Sequence, residues 1–177
     1  GYIGKKNAAP LLIEGLRRLE YRGYDSAGVC MLTDKILEVR KSAGRVEKLA
    51  QQIKQHPLPG CVGISHTRWA THGRPTEENA HPHRDCTGRV VVVHNGIIEN
   101  YLQLKEQLRK TDHRFVTETD TEIIAHLIEE HLKQDKTFEQ AVRSTVSELR
   151  GIFALSIINA DEPDTIIAVR QGPPVVI

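Results

Sequence analysis

The sequence has few aromatic residues and few cysteines, and it contains neither a long apolar run nor a block of like charges. Three cysteines, an odd number, do not suit a disulfide framework, and they indicate reduced thiols in a cytoplasmic protein. No segment is long and apolar enough for a membrane span, and no signal peptide is visible at the amino end. The 24 basic and 23 acidic residues almost cancel, so neither a membrane nor nucleic acid is expected as a partner.

The 177 residues suit one domain, which we assign to positions 1–177. Both ends fall inside apolar, strand-like segments, Gly1–Gly4 and Pro174–Ile177. We therefore expect the chain to be a piece of a longer protein, truncated at both ends.

Apolar periodicity predicts alternating pairs of strands and helices. Helices are expected at about Asn7–Glu20, from Val46 to His56, from Ile98 to Leu108, from Ile123 to Leu132 and from Phe138 to Leu149. Strands are expected at 28–32, 36–39, 61–65, 89–93, 151–158 and 165–169, the first two as a hairpin. This pattern predicts two packed sheets with helices outside, an α/β layered sandwich.

The segment His66–Gly73, which reads His-Thr-Arg-Trp-Ala-Thr-His-Gly, is the densest polar motif in the chain. It directly follows the apolar strand predicted at 61–65, where a small polar ligand could be bound. Arg68 is suited to a bidentate contact with a carboxylate. The alternative for this segment alone is a solvated loop.

A second motif, His94-Asn95-Gly96, ends the strand predicted at 89–93. Asn-Gly is a common hairpin turn, but helical periodicity follows it in place of a second strand. The functional alternative is an oxyanion hole, formed by the side-chain amide of Asn95 and the backbone N–H of Gly96. Local sequence leaves the two interpretations open.

A third motif, Glu118-Thr-Asp-Thr-Glu122, begins a predicted helix. Thr119 and Glu122 have the spacing of a capping box, which is the simplest explanation of the motif. Asp120 could also bind a ligand ammonium group from this position.

Metal and cofactor sites are not expected. His81, His83 and Cys86 match no standard zinc spacing, so we predict no metal and no stoichiometric zinc. A Cys/His nucleophile pair using Cys61 or Cys86 lacks its local signatures, and no glycine-rich phosphate loop is present.

Together the motifs resemble one family. Leu16–Gly28, His66–Gly73, His94–Asn100 and Glu118–Glu122 occur in the order and approximate spacing of the glutaminase domains of class II glutamine amidotransferases. The strings Tyr-Arg-Gly-Tyr-Asp and Arg-Trp-Ala-Thr-His are most similar to the glutamine–fructose-6-phosphate aminotransferase branch. The resemblance covers the whole chain.

The resemblance implies a four-layer αββα sandwich of the N-terminal-nucleophile hydrolase type. It implies that Arg68 binds the α-carboxylate of glutamine and Asp120 its α-ammonium, in a pocket also lined by Thr71 and His72. Trp69 would lie at the ammonia exit, although a lone tryptophan is more often a core residue. The remaining roles are an oxyanion hole of Asn95 and Gly96, and support of the nucleophile's backbone by Arg22 and Gly23.

The resemblance further implies glutamine hydrolysis without a cofactor, with ammonia passed to a C-terminal isomerase domain that acts on fructose 6-phosphate and joins two subunits into a homodimer. The family's nucleophile is an amino-terminal cysteine in Cys-Gly-Ile-x-Gly, and Gly1 matches the last glycine. Since Cys30, Cys61 and Cys86 carry no free amine, we expect the chain as written to be inactive. The alternatives are a glutamine-binding module without catalysis and the glutaminase part of a phosphoribosyl-type amidotransferase.

Overall fold

The computed structural model describes residues 1–69 and 73–176 and contains two four-stranded antiparallel sheets. The first sheet has the order β1-β4-β2-β3 and comprises β1 (Tyr2–Ile3), β2 (Ser26–Thr33), β3 (Ile36–Ala43) and β4 (Val62–Arg68). The second has the order β5-β6-β7-β8 and comprises β5 (His83–Arg84), β6 (Val90–Ile98), β7 (Gly151–Asn159) and β8 (Ile166–Gln171). The helices are α1 (Ala8–Leu19), α2 (Val46–Gln55), α3 (Tyr101–Arg109), α4 (Glu122–Leu132) and α5 (Phe138–Glu148).

Three apolar clusters arrange these elements in four layers. Residues of α1 and α2 pack on the outer face of the first sheet, and residues of α3, α4 and α5 pack on the outer face of the second. A third cluster lies between the two sheets and includes Cys30, Ile64, Val91 and Ile158. The predicted αββα sandwich is confirmed.

Strand periodicity explains how both sheets are covered on two sides. In β6, Val90 and Val92 pack against the helices, whereas Val91 and Val93 face the other sheet. The apolar run predicted at 89–93 therefore supplies both faces at once, as expected for a strand covered on both sides.

Local capping agrees with two of the predicted helix starts. The side chain of Asn7 accepts a hydrogen bond from the N–H of Ala9 at the start of α1. Thr137 and Gln140 form a reciprocal capping box at the start of α5. These contacts satisfy backbone donors that the first turn of a helix leaves without partners.

The two strands that carry the main motifs are longer than predicted. β4 continues to Arg68, so the first three residues of the polar motif are strand residues. β6 continues to Ile98, so the prediction that His94-Asn95-Gly96 ends the strand was wrong. Ile98 was assigned to a helix, but it closes this strand, and α3 begins at Tyr101.

Among the helices in the described part of the chain, none has the length and apolar character that a membrane crossing requires.

The layer between the sheets is expected to dominate stability. Ile64 is fully buried there, whereas Ile36 in the β2–β3 hairpin is 67% exposed. Ile64→Ala should lower the free energy of unfolding by about 2–5 kcal/mol, because it removes buried apolar area and leaves a cavity. The same change at Ile36 should cost less than about 1 kcal/mol. Urea unfolding followed by circular dichroism measures both, and equal losses would contradict the assigned core.

Candidate active site

Arg68, the last residue of β4, provides a buried cation at one end of the sandwich. Arg68 is 4% exposed. Its guanidinium donates hydrogen bonds to the backbone carbonyl oxygens of Arg74 at 3.1 Å and Gly73 at 3.5 Å. Burial lowers the pKa of Arg68, and the charges of Asp120 and Asp25 act in the opposite direction. Since arginine stays protonated in proteins, the site contains a fixed positive charge facing carboxylates.

Asp120 is one of two carboxylates, with Asp25, whose charge acts on the Arg68 guanidinium. It is 5% exposed, and its Oδ2 accepts a hydrogen bond from the backbone N–H of Ile98 at 2.8 Å. Asp120 therefore joins the end of β6 to the segment that leads into α4. A buried acid held in this way, beside Arg68, can balance a cation or bind an ammonium group.

The helix start beside Asp120 differs from the predicted capping box. α4 begins at Glu122 with Thr121 as its N-cap residue, and no side chain caps the helix. The carboxylate of Glu122 instead accepts hydrogen bonds from the backbone N–H groups of Val116 and Thr117. The predicted capping box does not form because the loop before the helix folds back, and its N–H groups occupy the Glu122 carboxylate that the capping box would use.

Asn95 and Gly96 lie inside β6 and are exposed. They pair with Ala154 and Phe153 of β7, so they do not form a hairpin turn. Gly96 has a φ of 143°, and a Cβ at this position would overlap the carbonyl oxygen of Ile152. Only glycine fits this conformation and this close approach. The motif thus presents a side-chain amide and a glycine on a rigid strand.

The Arg22–Gly23 segment lies against the end of β4. Arg22 is exposed, at the end of a single 3₁₀ turn, whereas Gly23 is buried. A Cβ on Gly23 would come within 2.8 Å of the carbonyl carbon of Arg68 and 2.9 Å of the nitrogen of Trp69. Gly23 therefore allows close contact with the backbone of the polar motif.

Trp69 is 57% exposed and contacts the ring of Tyr24 edge-on, with centroids 5.6 Å apart. The alternative of a core tryptophan was wrong. Thr71 and His72, the other predicted pocket residues, lie outside the described residues.

Three buried histidines, His81, His83 and His94, and the half-buried His66 form a cluster next to Arg68. The ring centroids of His66 and His81 are 4.5 Å apart, and those of His81 and His83 are 4.7 Å apart. The backbone of His81 also packs against Gly28 of β2. A Cβ at position 28 would overlap the His81 carbonyl oxygen, so this contact requires glycine.

The hydroxyl of Thr121 connects this cluster to α4. It lies 2.9 Å from Nε2 of His81 and 2.9 Å from Nδ1 of His94. Burial, followed by the charges of His94 and Arg68, lowers the pKa of His66 to about 3. Burial first, then neighbouring cations, also puts the pKa values of His81 and His83 well below 6.5. These three rings are therefore neutral at physiological pH.

Sequence reasoning missed Asn79, which orders the segment above Arg68. Its side-chain nitrogen donates to the carbonyl oxygen of Arg74 and to the carboxylate of Glu118, both at 3.1 Å. Its side-chain oxygen accepts from the N–H of Glu118 at 2.9 Å. The residue falls in a long loop with no periodic signal, so only the three-dimensional contacts reveal it.

The arrangement offers complementary charges and a strand-borne amide at one end of the sandwich. Arg68 and Asp120 can bind a small molecule that carries a carboxylate and an ammonium group. Asn95 and Gly96 belong to the strand whose end Asp120 holds, and they can donate hydrogen bonds to a developing negative charge. Metal chemistry is not needed for either role.

Comparisons with known proteins show the family to which the chain is similar. A family model for the glutamine amidotransferase domain matches residues 66–172. Glutamine–fructose-6-phosphate aminotransferases (isomerizing) from Thermococcus kodakarensis and Pyrococcus horikoshii are 55% and 50% identical over the whole chain, which spans 29% and 30% of their lengths. The chain also resembles the structure of glutamine phosphoribosylpyrophosphate amidotransferase from B. subtilis, complexed with ADP and GMP. That match has a TM-score of 0.77 and 28% identity, and it covers 89% of this chain and 34% of the other.

The buried neutral histidines should make the fold sensitive to acid. The pKa of His66 is lowered to about 3 in the folded state, so between pH 6.5 and about 3 the unfolded chain binds more protons at this residue than the folded chain. The free energy of unfolding should therefore fall as pH drops below about 6.5. His66→Gln removes one such group and should reduce this slope by up to about 1.4 kcal/mol per pH unit.

The control is His56→Gln, because His56 is exposed. Urea unfolding at several pH values between about 7 and 5 gives the slopes. Equal slopes for the unchanged chain and His66→Gln would show that His66 does not control the acid response.

Proposed function

The chain belongs to the glutamine amidotransferase domain family, and on that basis we propose that it is the glutaminase part of an enzyme that hydrolyses glutamine to glutamate and ammonia. Glutamine carries both an α-carboxylate and an α-ammonium group. We assign the first to Arg68 and the second to Asp120. The family resemblance assigns Thr71, His72 and Trp69 to glutamine binding as well. The oxyanion hole is assigned to Asn95 and Gly96.

The observation that carries the proposal is the register of β1 on β4. Tyr2 pairs with Gly63 and Ile3 with Val62 in antiparallel order, so each step toward the amino end advances one residue along β4. Four further residues ahead of Gly1, as in Cys-Gly-Ile-x-Gly, would bring a family-type cysteine opposite Arg68. A Cβ added to Gly1 would lie 3.3 Å from Cγ2 of Ile64 and 3.4 Å from Oγ of Ser156, so a side chain at this position of the edge strand points into the layer between the sheets.

The proposed mechanism uses that amino-terminal cysteine as nucleophile and its own α-amino group as base. Thiolate attack on the side-chain carbonyl of glutamine gives a tetrahedral oxyanion, to which Asn95 and Gly96 donate hydrogen bonds. Collapse of this species breaks the C–N bond and releases ammonia after protonation of the leaving nitrogen. Water then cleaves the thioester to give glutamate. Gly23 supports the backbone at the end of β4, and Arg22 lies on the same segment.

For the whole protein we propose transfer of the ammonia to fructose 6-phosphate, which gives glucosamine 6-phosphate. The support is the name shared by the two archaeal relatives, of which this chain spans only 29–30%. An isomerase domain would form the remainder and would join two subunits into a homodimer. The three free cysteines agree with a reducing compartment, so we propose a cytoplasmic location.

Two alternative functions differ from this proposal in the sequence expected on either side of the chain. A glutamine-binding module would keep Arg68 and Asp120 but lack the amino-terminal cysteine. A phosphoribosyl-type amidotransferase, suggested by the B. subtilis structure, would carry a phosphoribosyl-transfer domain after this one. The complete reading frame distinguishes all three, because it gives both the encoded amino end and the domain that follows.

The sharpest test separates substrate binding from transition-state stabilisation in a chain completed with Cys-Gly-Ile-x ahead of Gly1 and with its carboxyl-terminal part. Arg68→Lys keeps the charge but loses the planar fork, so KM for glutamine should rise about 10- to 100-fold. Asn95→Ala removes a donor that acts on the oxyanion, so kcat should fall about 10²–10³-fold with little change in KM. Steady-state kinetics of glutamate release measures both.

Arg143→Lys is the matched control, because the Arg143 side chain is 77% exposed and pairs with Glu139 on the surface of α5. It should leave both constants unchanged. A reversed pattern, in which Asn95→Ala weakens binding and Arg68→Lys slows turnover, would show that the two roles are wrongly assigned.

A further inference from the structure

Away from the candidate active site, four potential metal ligands converge in a cluster of Cys86, His113, His126 and Glu129. The three last residues are buried, and Cys86 lies at the surface. The Nδ1 atoms of the two histidines are 3.2 Å apart, and they lie 3.8 Å and 3.6 Å from Sγ of Cys86. Oε2 of Glu129 is 3.3 Å from Nδ1 of His113 and 3.5 Å from Nδ1 of His126.

These separations match the edges of a zinc tetrahedron. Zinc–nitrogen bonds of about 2.0–2.1 Å and zinc–sulfur bonds of about 2.3 Å put two nitrogens about 3.3 Å apart and nitrogen and sulfur about 3.6 Å apart. Zinc–oxygen bonds of about 2.0 Å put oxygen and nitrogen about 3.3 Å apart. The five separations given above lie within a few tenths of an ångström of these values.

The outer nitrogens of both histidines face carboxylates. Nε2 of His113 is 2.9 Å from Oε2 of Glu130, and Nε2 of His126 is 3.7 Å from Oε1 of Glu122. Such carboxylates favour a proton on Nε2, as they do for metal-bound histidines. The Nδ1 lone pairs then point toward each other at close range, where they repel unless a cation lies between them.

Backbone contacts also hold Cys86 in position for a ligand role. The N–H of Arg114 donates to Sγ of Cys86 at 3.4 Å, and the N–H of Cys86 donates to Oε2 of Glu129 at 2.9 Å. An N–H donor stabilises negative charge on sulfur. Cys86 and His126 also line a cleft of about 510 Å³, which gives an ion a path from solvent.

We propose that Cys86, His113, His126 and Glu129 bind one zinc ion in a closed, structural site. Thiolate, imidazole and carboxylate are ligands that zinc accepts together, and four protein donors leave no position for substrate. The ion would join the segment after β5, the segment after α3 and the middle of α4. Along the chain, Cys86 precedes His113 by 27 residues and His126 by 40 residues. The proposal is independent of glutamine hydrolysis.

This donor set differs from His81, His83 and Cys86, whose spacing led to the prediction of no metal and no stoichiometric zinc. His81 and His83 lie in the other histidine cluster, near Thr121 and Thr119, while Cys86 contacts His113 and His126. The available sequence signal was His126-x-x-Glu129, since residues three apart share one face of a helix. The competing explanation is a metal-free cluster in which His113 pairs with Glu129 and Glu130.

The test is metal analysis of the 177-residue chain without a histidine tag, stripped with a chelator and then loaded with Zn²⁺. We expect about one zinc per chain after dialysis. Cys86→Ser and His113→Asn should each weaken zinc binding at least tenfold. The matched controls Cys61→Ser and His56→Asn, both at exposed positions, should keep one zinc per chain.

Co²⁺ loading of the unchanged chain provides a readout that does not depend on folding of the variants. We expect the visible absorption of tetrahedral Co²⁺ together with a thiolate-to-metal charge-transfer band. Zinc far below one per chain, or bound Co²⁺ without the thiolate band, would overturn the proposal. Full zinc binding by the folded Cys86→Ser variant would overturn it as well.

Discussion

The pairing of β4 with both β1 and β2 determines where the polar groups of the site lie. The β2 pairing aligns Ser26 with Arg68 and so fixes the end of β4, and the β1 pairing directs the amino-terminal segment along the same strand. Ile64, four residues before Arg68 on the same face of β4, packs between the sheets, so this face is directed toward the second sheet. A slip of one residue in this register would move Arg68 to the other face of the sheet.

The site combines buried charge with buried neutral polarity. Arg68 and Asp120 are each almost inaccessible to solvent, and hydrogen bonds to backbone groups compensate part of their desolvation. His66, His81 and His83 avoid a similar cost by remaining neutral, and the Thr121 hydroxyl lies within hydrogen-bond distance of His81 and His94. The resulting interior is rigid and polar, which suits a small zwitterionic substrate better than an apolar one.

The sequence was most informative where periodicity and composition act locally. The layer order and the helix that follows Asn7 could be predicted, because each depends on nearby residues with one face buried. The continuation of β6 through Asn95 and Gly96 could not be predicted, because the pairing with β7 joins residues more than fifty positions apart in the sequence. The role of Asn79 and the contact of Cys86 with His126 likewise depend on tertiary approach alone.

The central claim is that an amino-terminal cysteine opposite Arg68 attacks glutamine. The most direct measurement is mass spectrometry of the completed chain, starting with Cys-Gly-Ile-x, after reaction with a glutamine analogue that carries an electrophilic carbon in place of the side-chain amide. The account predicts one adduct per chain, on the amino-terminal cysteine, with protection by glutamine. An adduct on Cys30, Cys61 or Cys86, or no adduct under conditions where the chain is folded, would contradict it.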